Sequence, residues 1–179
     1  MNKTKTNYLI KVGLLSAIAF ILQAVGSMMG LKVAGFLEIE FSDLPAIIGS
    51  LSLGPVAGVL IELIKNLIHL PMSSTGFVGE FANFVVNGTF VLVIGIIYKL
   101  NKTKKGAVIA LLLGSVIMPV AAAMVNYFIM LPLYMSSASH AVKLNLVLTT
   151  ITPFNFVRAI VLSLITVFCY KRISPILHK

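Results

Sequence analysis

The 179-residue chain has no tryptophan, one cysteine and only five acidic residues. Its single thiol, Cys169, can build neither a disulfide framework nor a cysteine metal site. HExxH, GxSxG and GxxxxGKS/T patterns are also missing, so zinc-protease, serine-hydrolase and phosphate-loop chemistry have no basis in the sequence. His69, His140 and His178 are scattered, with no partners at metal-ligand spacing. Charged residues make up 11% of the chain, against about 25% in soluble domains. Apolar residues fill the space: 59% are hydrophobic and the mean hydropathy is +1.04. One water-facing globule of this size cannot hide that much apolar surface. The composition predicts an all-α integral membrane protein with no room for a large catalytic domain. Spans of ~20 residues leave room for five or six crossings and no separate soluble domain.

Apolar runs place the spans at about 8–29, 44–53, 55–70, 79–100, 107–135 and 150–170, so residues 1–179 read as a single membrane domain. The first run, behind Lys3 and Lys5, has the order of a secretory signal but is long for one, and reads as a span. Gly54-Pro55 interrupts the stretch from Leu44 to Leu70, because proline breaks a helix outside its first turn. Two short helices joined by a tight hairpin result, with a single kinked crossing as the alternative. Pro119 and Pro132 are expected to kink or end the fifth span. Basic clusters decide the count. Lys3, Lys5 and Lys11 precede span one; Lys99, Lys102, Lys104 and Lys105 separate spans four and five; Lys171, Arg172 and Lys179 follow span six. Six crossings put all three clusters on one side, the cytoplasm, with both termini there. This also explains the net charge of +9 without a nucleic-acid partner.

Polar residues inside the runs fall at helical spacing. Glu62, Lys65 and Asn66 stand at i, i+3 and i+4; Glu80, Asn83 and Asn87 at i, i+3 and i+7; Asn155 and Arg158 at i and i+3. Residues at such offsets share one helix face. A charge near the bilayer centre costs ~2.5–3.5 kcal/mol on the mild insertion scale, so these faces must meet protein or a water-filled cavity. Counted at 1.5 Å per residue, the stripes and Asn126 reach a common level in the outer half of the membrane. Glu62 and Glu80 there balance Lys65 and Arg158, which suits a neutral polar ligand. The competing reading is structural: asparagines bridging helices, and ion pairs Glu62–Lys65 and Glu80–Arg158. Glu38, Glu40 and Asp43 are expected as solvated charge on an outer loop. Ser73-Ser74-Thr75-Gly76 is read as a flexible outer connection.

The runs Glu40-Phe41-Ser42-Asp43-Leu44-Pro45-Ala46, Gly54-Pro55-Val56-Ala57-Gly58 and Glu62-Leu63-Ile64-Lys65-Asn66-Leu67 resemble the substrate-binding S components of energy-coupling factor (ECF) vitamin transporters. Ser74 to Phe84, Asn126-Tyr127-Phe128, Leu131-Pro132-Leu133-Tyr134 and Pro153-Phe154-Asn155 are similar to the riboflavin-specific type. The resemblance covers nearly the whole chain and implies the S-component fold. It further implies high-affinity capture of riboflavin from outside, association with a membrane coupling protein and two ATP-binding subunits, and toppling in the bilayer to release the vitamin inward. Riboflavin would be cargo, with no resident cofactor and no metal.

Matching motifs carry binding to Leu37, Asn126, Asn155 and Arg158, beside the stripe residues Lys65, Asn66, Glu80 and Asn83. Asparagine offers a donor and an acceptor together, as the imide edge of the flavin ring requires. Phe36, Phe41 and Phe81 are candidates for stacking. The family's Ala-x-x-x-Ala pattern on the first helix is absent; Gly13 and Ala17 have its spacing and would replace it against the coupling protein. Arg158 stands where lysine is equally expected, and its five-donor fork also accepts a phosphate, which keeps flavin mononucleotide open as a ligand. The alternatives are an S component for thiamin or pantothenate, or a small membrane enzyme or scaffold using Glu62 and Glu80.

Overall fold

Gly54 turns the chain at φ +105°, a region glycine occupies without the steric cost of a Cβ. Pro55 follows in the first turn of the next helix, where its missing N–H costs no bond. Helix α2 (Leu44–Leu53) therefore folds back onto α3 (Pro55–His69). In the computed structural model, residues 3–30, 32–33, 37–38, 41–73 and 75–177 are described. Helix α1 (Lys3–Met29) leads to two short strands, β1 (Lys32–Val33) and β2 (Leu37–Glu38), paired antiparallel with Lys32 opposite Glu38. After the α2–α3 hairpin, a 3-10 turn (Leu70–Met72) precedes α4 (Gly76–Leu100).

The next helix, α5 (Lys104–Val125), starts where the Thr103 hydroxyl accepts the Gly106 N–H at 3.0 Å, satisfying one of the donors left open at a helix start. It runs through buried Pro119 into a π-helical stretch (Asn126–Met130) and α6 (Leu131–Tyr134). A second such composite rod contains α7 (His140–Leu146), a π-helical stretch (Val147–Ile151) and α8 (Thr152–Leu177). Neither the π stretches nor α7 is expected from the apolar runs.

Six helical rods thus make up the described residues. Five are long and apolar enough to cross a membrane: Lys5–Met29, Pro55–Met72, Gly76–Leu100, Lys104–Tyr134 and His140–Cys169. The sixth, α2, has ten residues and reaches only about 15 Å, half the hydrocarbon thickness. Helix α4 packs between α3 and α5, α8 lies on α5, and α1 covers α2 and α3. Close approach depends on missing side chains. A Cβ on Gly95 would stand 2.3 Å from Ser50 Oγ and 2.6 Å from Pro55 Cα, so α4 touches the hairpin turn with its backbone. Large apolar residues such as Leu9, Leu14, Ile21, Leu112, Val116 and Phe168 face outward, as a lipid-facing surface requires.

Candidate ligand site

The hairpin's symmetry places the first cluster. Asp43 lies eleven residues before Gly54 and Lys65 eleven after it, so equal rise brings them to one level. Lys65 Nζ meets Asp43 Oδ1 at 2.5 Å, Glu62 Oε2 at 2.8 Å and Ser42 Oγ at 2.9 Å, all fully buried. Arg158, from α8, reaches the other oxygen of Asp43 at 2.6 Å. Two carboxylates and two cations form one compact cluster. The Arg158 and Lys65 cations and their hydrogen bonds compensate the burial of the Asp43 carboxylate. The expected Glu62–Lys65 pair is present. Arg158 pairs with Asp43 and Glu80 with His69, so the expected Glu80–Arg158 pair is not formed. Asp43, expected as solvated loop charge, is buried because both cations converge on it; the side chains of Glu38 and Glu40 lie outside the described residues.

A second cluster joins α1, α3 and α4. Glu80 Oε1 accepts from His69 Nδ1 at 2.9 Å, and Glu80 Oε2 accepts from Gln23 Nε2 at 3.0 Å. Gln23 Nε2 also lies 3.5 Å from Asn66 Oδ1, and Ser27 Oγ lies 3.4 Å from His69 Nε2. Between the two clusters, away from the Gly54 turn, is a cleft that is partly open to solvent. Leu37, Glu80, Asn83, Asn126, Asn155 and Arg158 all border it. Lys65 and Asn66 do not; they stand behind it, holding Asp43 and Gln23. Apolar walls come from Ala82, Val86, Ala122, Met130 and Phe154. Polar and apolar residues share its border about equally, so it holds more convergent polar groups than the mostly apolar form small-molecule sites usually take.

Both asparagines stand in or beside a π stretch and bond the helix carbonyl four residues before them. Asn126 Nδ2 donates to Ala122 O at 2.8 Å and Asn155 Nδ2 to Ile151 O at 2.9 Å. Each amide is thereby oriented, with its carbonyl and second N–H left for a ligand.

Some sequence expectations fall elsewhere. Phe41 and Phe81 are largely exposed, Phe81 stacking on Phe77 at 6.1 Å, and Phe36 lies outside the described residues. Gly13 and Ala17 sit on an exposed face of α1, with nothing within 4 Å of a Cβ on Gly13. Of the Ser73–Gly76 connection, Ser73 and Thr75 border the cleft and Thr75 O accepts the Tyr134 hydroxyl at 2.6 Å; Ser74 is not described. Bordering residues that the sequence reading missed are Gln23, His69, Asn87 and Phe154. Asn87 was placed on the right helix face but not in the site, and Gln23 is a lone amide in an apolar run.

Comparison with known proteins follows the same lines. Residues 7–170 match the family model described as ECF transporter, substrate-specific component. The chain is 32% identical to riboflavin transporter RibU of Staphylococcus aureus (strain TCH60) over 183 residues, covering all of this chain and 96% of the relative. It is 33% identical to riboflavin transporter FmnP of Bacillus subtilis (strain 168) over 180 residues, covering 96% and 94%. A solved S component of a bacterial ECF transporter superposes with TM-score 0.83 at 31% identity, covering 98% of this chain and 99% of that one. ThiT of Listeria monocytogenes superposes with TM-score 0.71 at 13% identity over the same shares, a likeness of fold alone.

Proposed function

The chain belongs to the ECF transporter substrate-specific component family, and we propose that it is the riboflavin-binding subunit of an ATP-driven importer of that type. The observation that carries this reading is the convergence of Asn126, Asn155 and Arg158 with Leu37, Glu80 and Asn83 on one cleft. Apolar walls suit the flat isoalloxazine, whose burial is favourable in proportion to its area. Asn126 and Asn155 each present a donor and an acceptor to its imide edge, and Arg158, already oriented by Asp43, donates to a ring carbonyl or hydroxyl. Lys65 and Asn66 act indirectly, through Asp43 and Gln23. Flavin mononucleotide is a second candidate ligand, since the Arg158 fork accepts phosphate.

The whole chain acts as a single membrane domain. It crosses the cell membrane of a bacterium six times, with both termini in the cytoplasm, and the short α2 shares its passage with the loop before it. Such a loop is tolerated at membrane depth because Ser42 and Asp43 are buried in protein. Riboflavin enters from outside as cargo, with no resident cofactor. The loaded subunit then joins a coupling protein and two ATP-binding subunits, which supply the energy, through the exposed Gly13 and Ala17 of α1. The detergent-purified chain should quench added riboflavin fluorescence stoichiometrically, or carry flavin absorbance that is released on denaturation. Colourless protein that leaves the fluorescence unchanged would overturn the reading.

A further inference from the structure

The cleft wall contains two carbonyl oxygens whose orientation is set from behind. Gln23 Nε2 donates to the Glu80 carboxylate, and a carboxylate accepts but cannot donate, so the amide oxygen must turn the other way. Gln23 is 3% exposed, borders the cleft, and its Oε1 has no hydrogen-bond partner. Asn87 repeats the arrangement. Its Nδ2 donates to Asn83 Oδ1 at 2.9 Å; it is 1% exposed, borders the same cleft, and its Oδ1 is without a partner. Buried polar atoms are nearly always satisfied, and exceptions mark a missing partner.

We propose that Gln23 and Asn87 form an acceptor wall that reads hydrogen-bond donors on the ligand, its hydroxyls or its imide N–H. This rests on the riboflavin reading and adds a division of labour to it. Gln23, whose amide nitrogen already faces Glu80 and Asn66, offers its carbonyl to the cleft, and Asn87 adds a second carbonyl without a partner. A ligand with donors at that wall completes both residues; one without them leaves two buried carbonyls unpaired. Selectivity for a donor-rich ligand over an apolar one of the same shape therefore comes from these two positions.

The test pairs altered protein with altered ligand. Gln23→Met and Asn87→Leu remove the acceptors at similar volume, and riboflavin should bind each roughly five- to 150-fold more weakly, the range for stranding one buried partner. Lumiflavin lacks the ribityl hydroxyls, and 3-methylriboflavin lacks the imide N–H. Against whichever analogue has lost the matching donor, the variants should lose much less affinity, relative to the native chain, than they lose for riboflavin. Comparing ligands within one variant cancels the loss of the Gln23–Glu80 bond, which affects all ligands alike. Variants that weaken riboflavin, lumiflavin and 3-methylriboflavin equally, or that weaken none, would overturn the assignment while leaving riboflavin binding itself intact. If the native chain fails to bind riboflavin, the functional reading fails first.

Discussion

Arg158 donates to Asp43 across 115 residues of sequence, at 2.6 Å, and so fastens α8 to the start of α2. The bond gives Arg158 two roles. It holds the mouth of the hairpin against the last rod, and it borders the cleft. Arg158→Lys keeps the charge but loses the planar fork. Riboflavin affinity should fall at least tenfold in this variant, with a smaller loss of melting temperature than in Arg158→Ala. Equal affinity for Arg158→Lys and the native chain in a fluorescence titration would show that the fork is not used.

Lys65 supports two carboxylates from inside the core. Lys65→Met leaves Glu62 without its ion-pair partner and Asp43 with Arg158 alone; breaking a buried pair in this way costs about 3–5 kcal/mol. The variant should melt far below the native protein in detergent. Lys65→Met combined with Glu62→Gln should recover part of that loss, since Asp43 keeps Arg158 and no carboxylate is left unpaired. A double variant less stable than the single would contradict this account.

Asn126→Ala and Asn155→Ala should each weaken riboflavin binding by about 1–3 kcal/mol and lower the melting temperature of the unliganded protein only slightly. This follows from their position on the cleft wall, with one N–H bonded to their own helix. Titration calorimetry alongside a melt separates the two effects.

Gly95→Val places side-chain atoms where Ser50 and Pro55 already stand. Overpacking of this kind typically costs 1–3 kcal/mol, and here it acts at the hairpin turn, away from the cleft. The melting temperature should drop while the folded fraction still binds riboflavin. Gly13→Leu and Ala17→Leu should do the reverse, leaving stability and binding intact but reducing co-purification with the coupling protein.

Much of this molecule is written locally. Gly54-Pro55 shows its break because glycine and proline act on their own backbone, and the polar stripes show their faces because helical spacing is local too. Asn126, Asn155 and Arg158 could be picked out as polar groups in apolar runs. Gln23 could not be placed in the site, because its partners Asn66 and Glu80 lie 43 and 57 residues away and only a small hydroxyl, Ser27, follows it at i+4. Asp43 looked like loop charge for the same reason: both its cations arrive through folding. Helix α7 is too short and mixed to register as an apolar run, and a π turn has no composition of its own.

Those two π stretches have a further consequence. Each is a place where one extra residue is stored in a helix without breaking it. Deleting a single residue within Asn126–Met130 would remove the stored residue and restore ordinary α geometry, with Tyr134 kept near Thr75. The same deletion in the regular part of α5 has no such slack and would rotate everything beyond it by about 100°. The π stretches are therefore the points at which this bundle can change length while the walls of the cleft stay as they are.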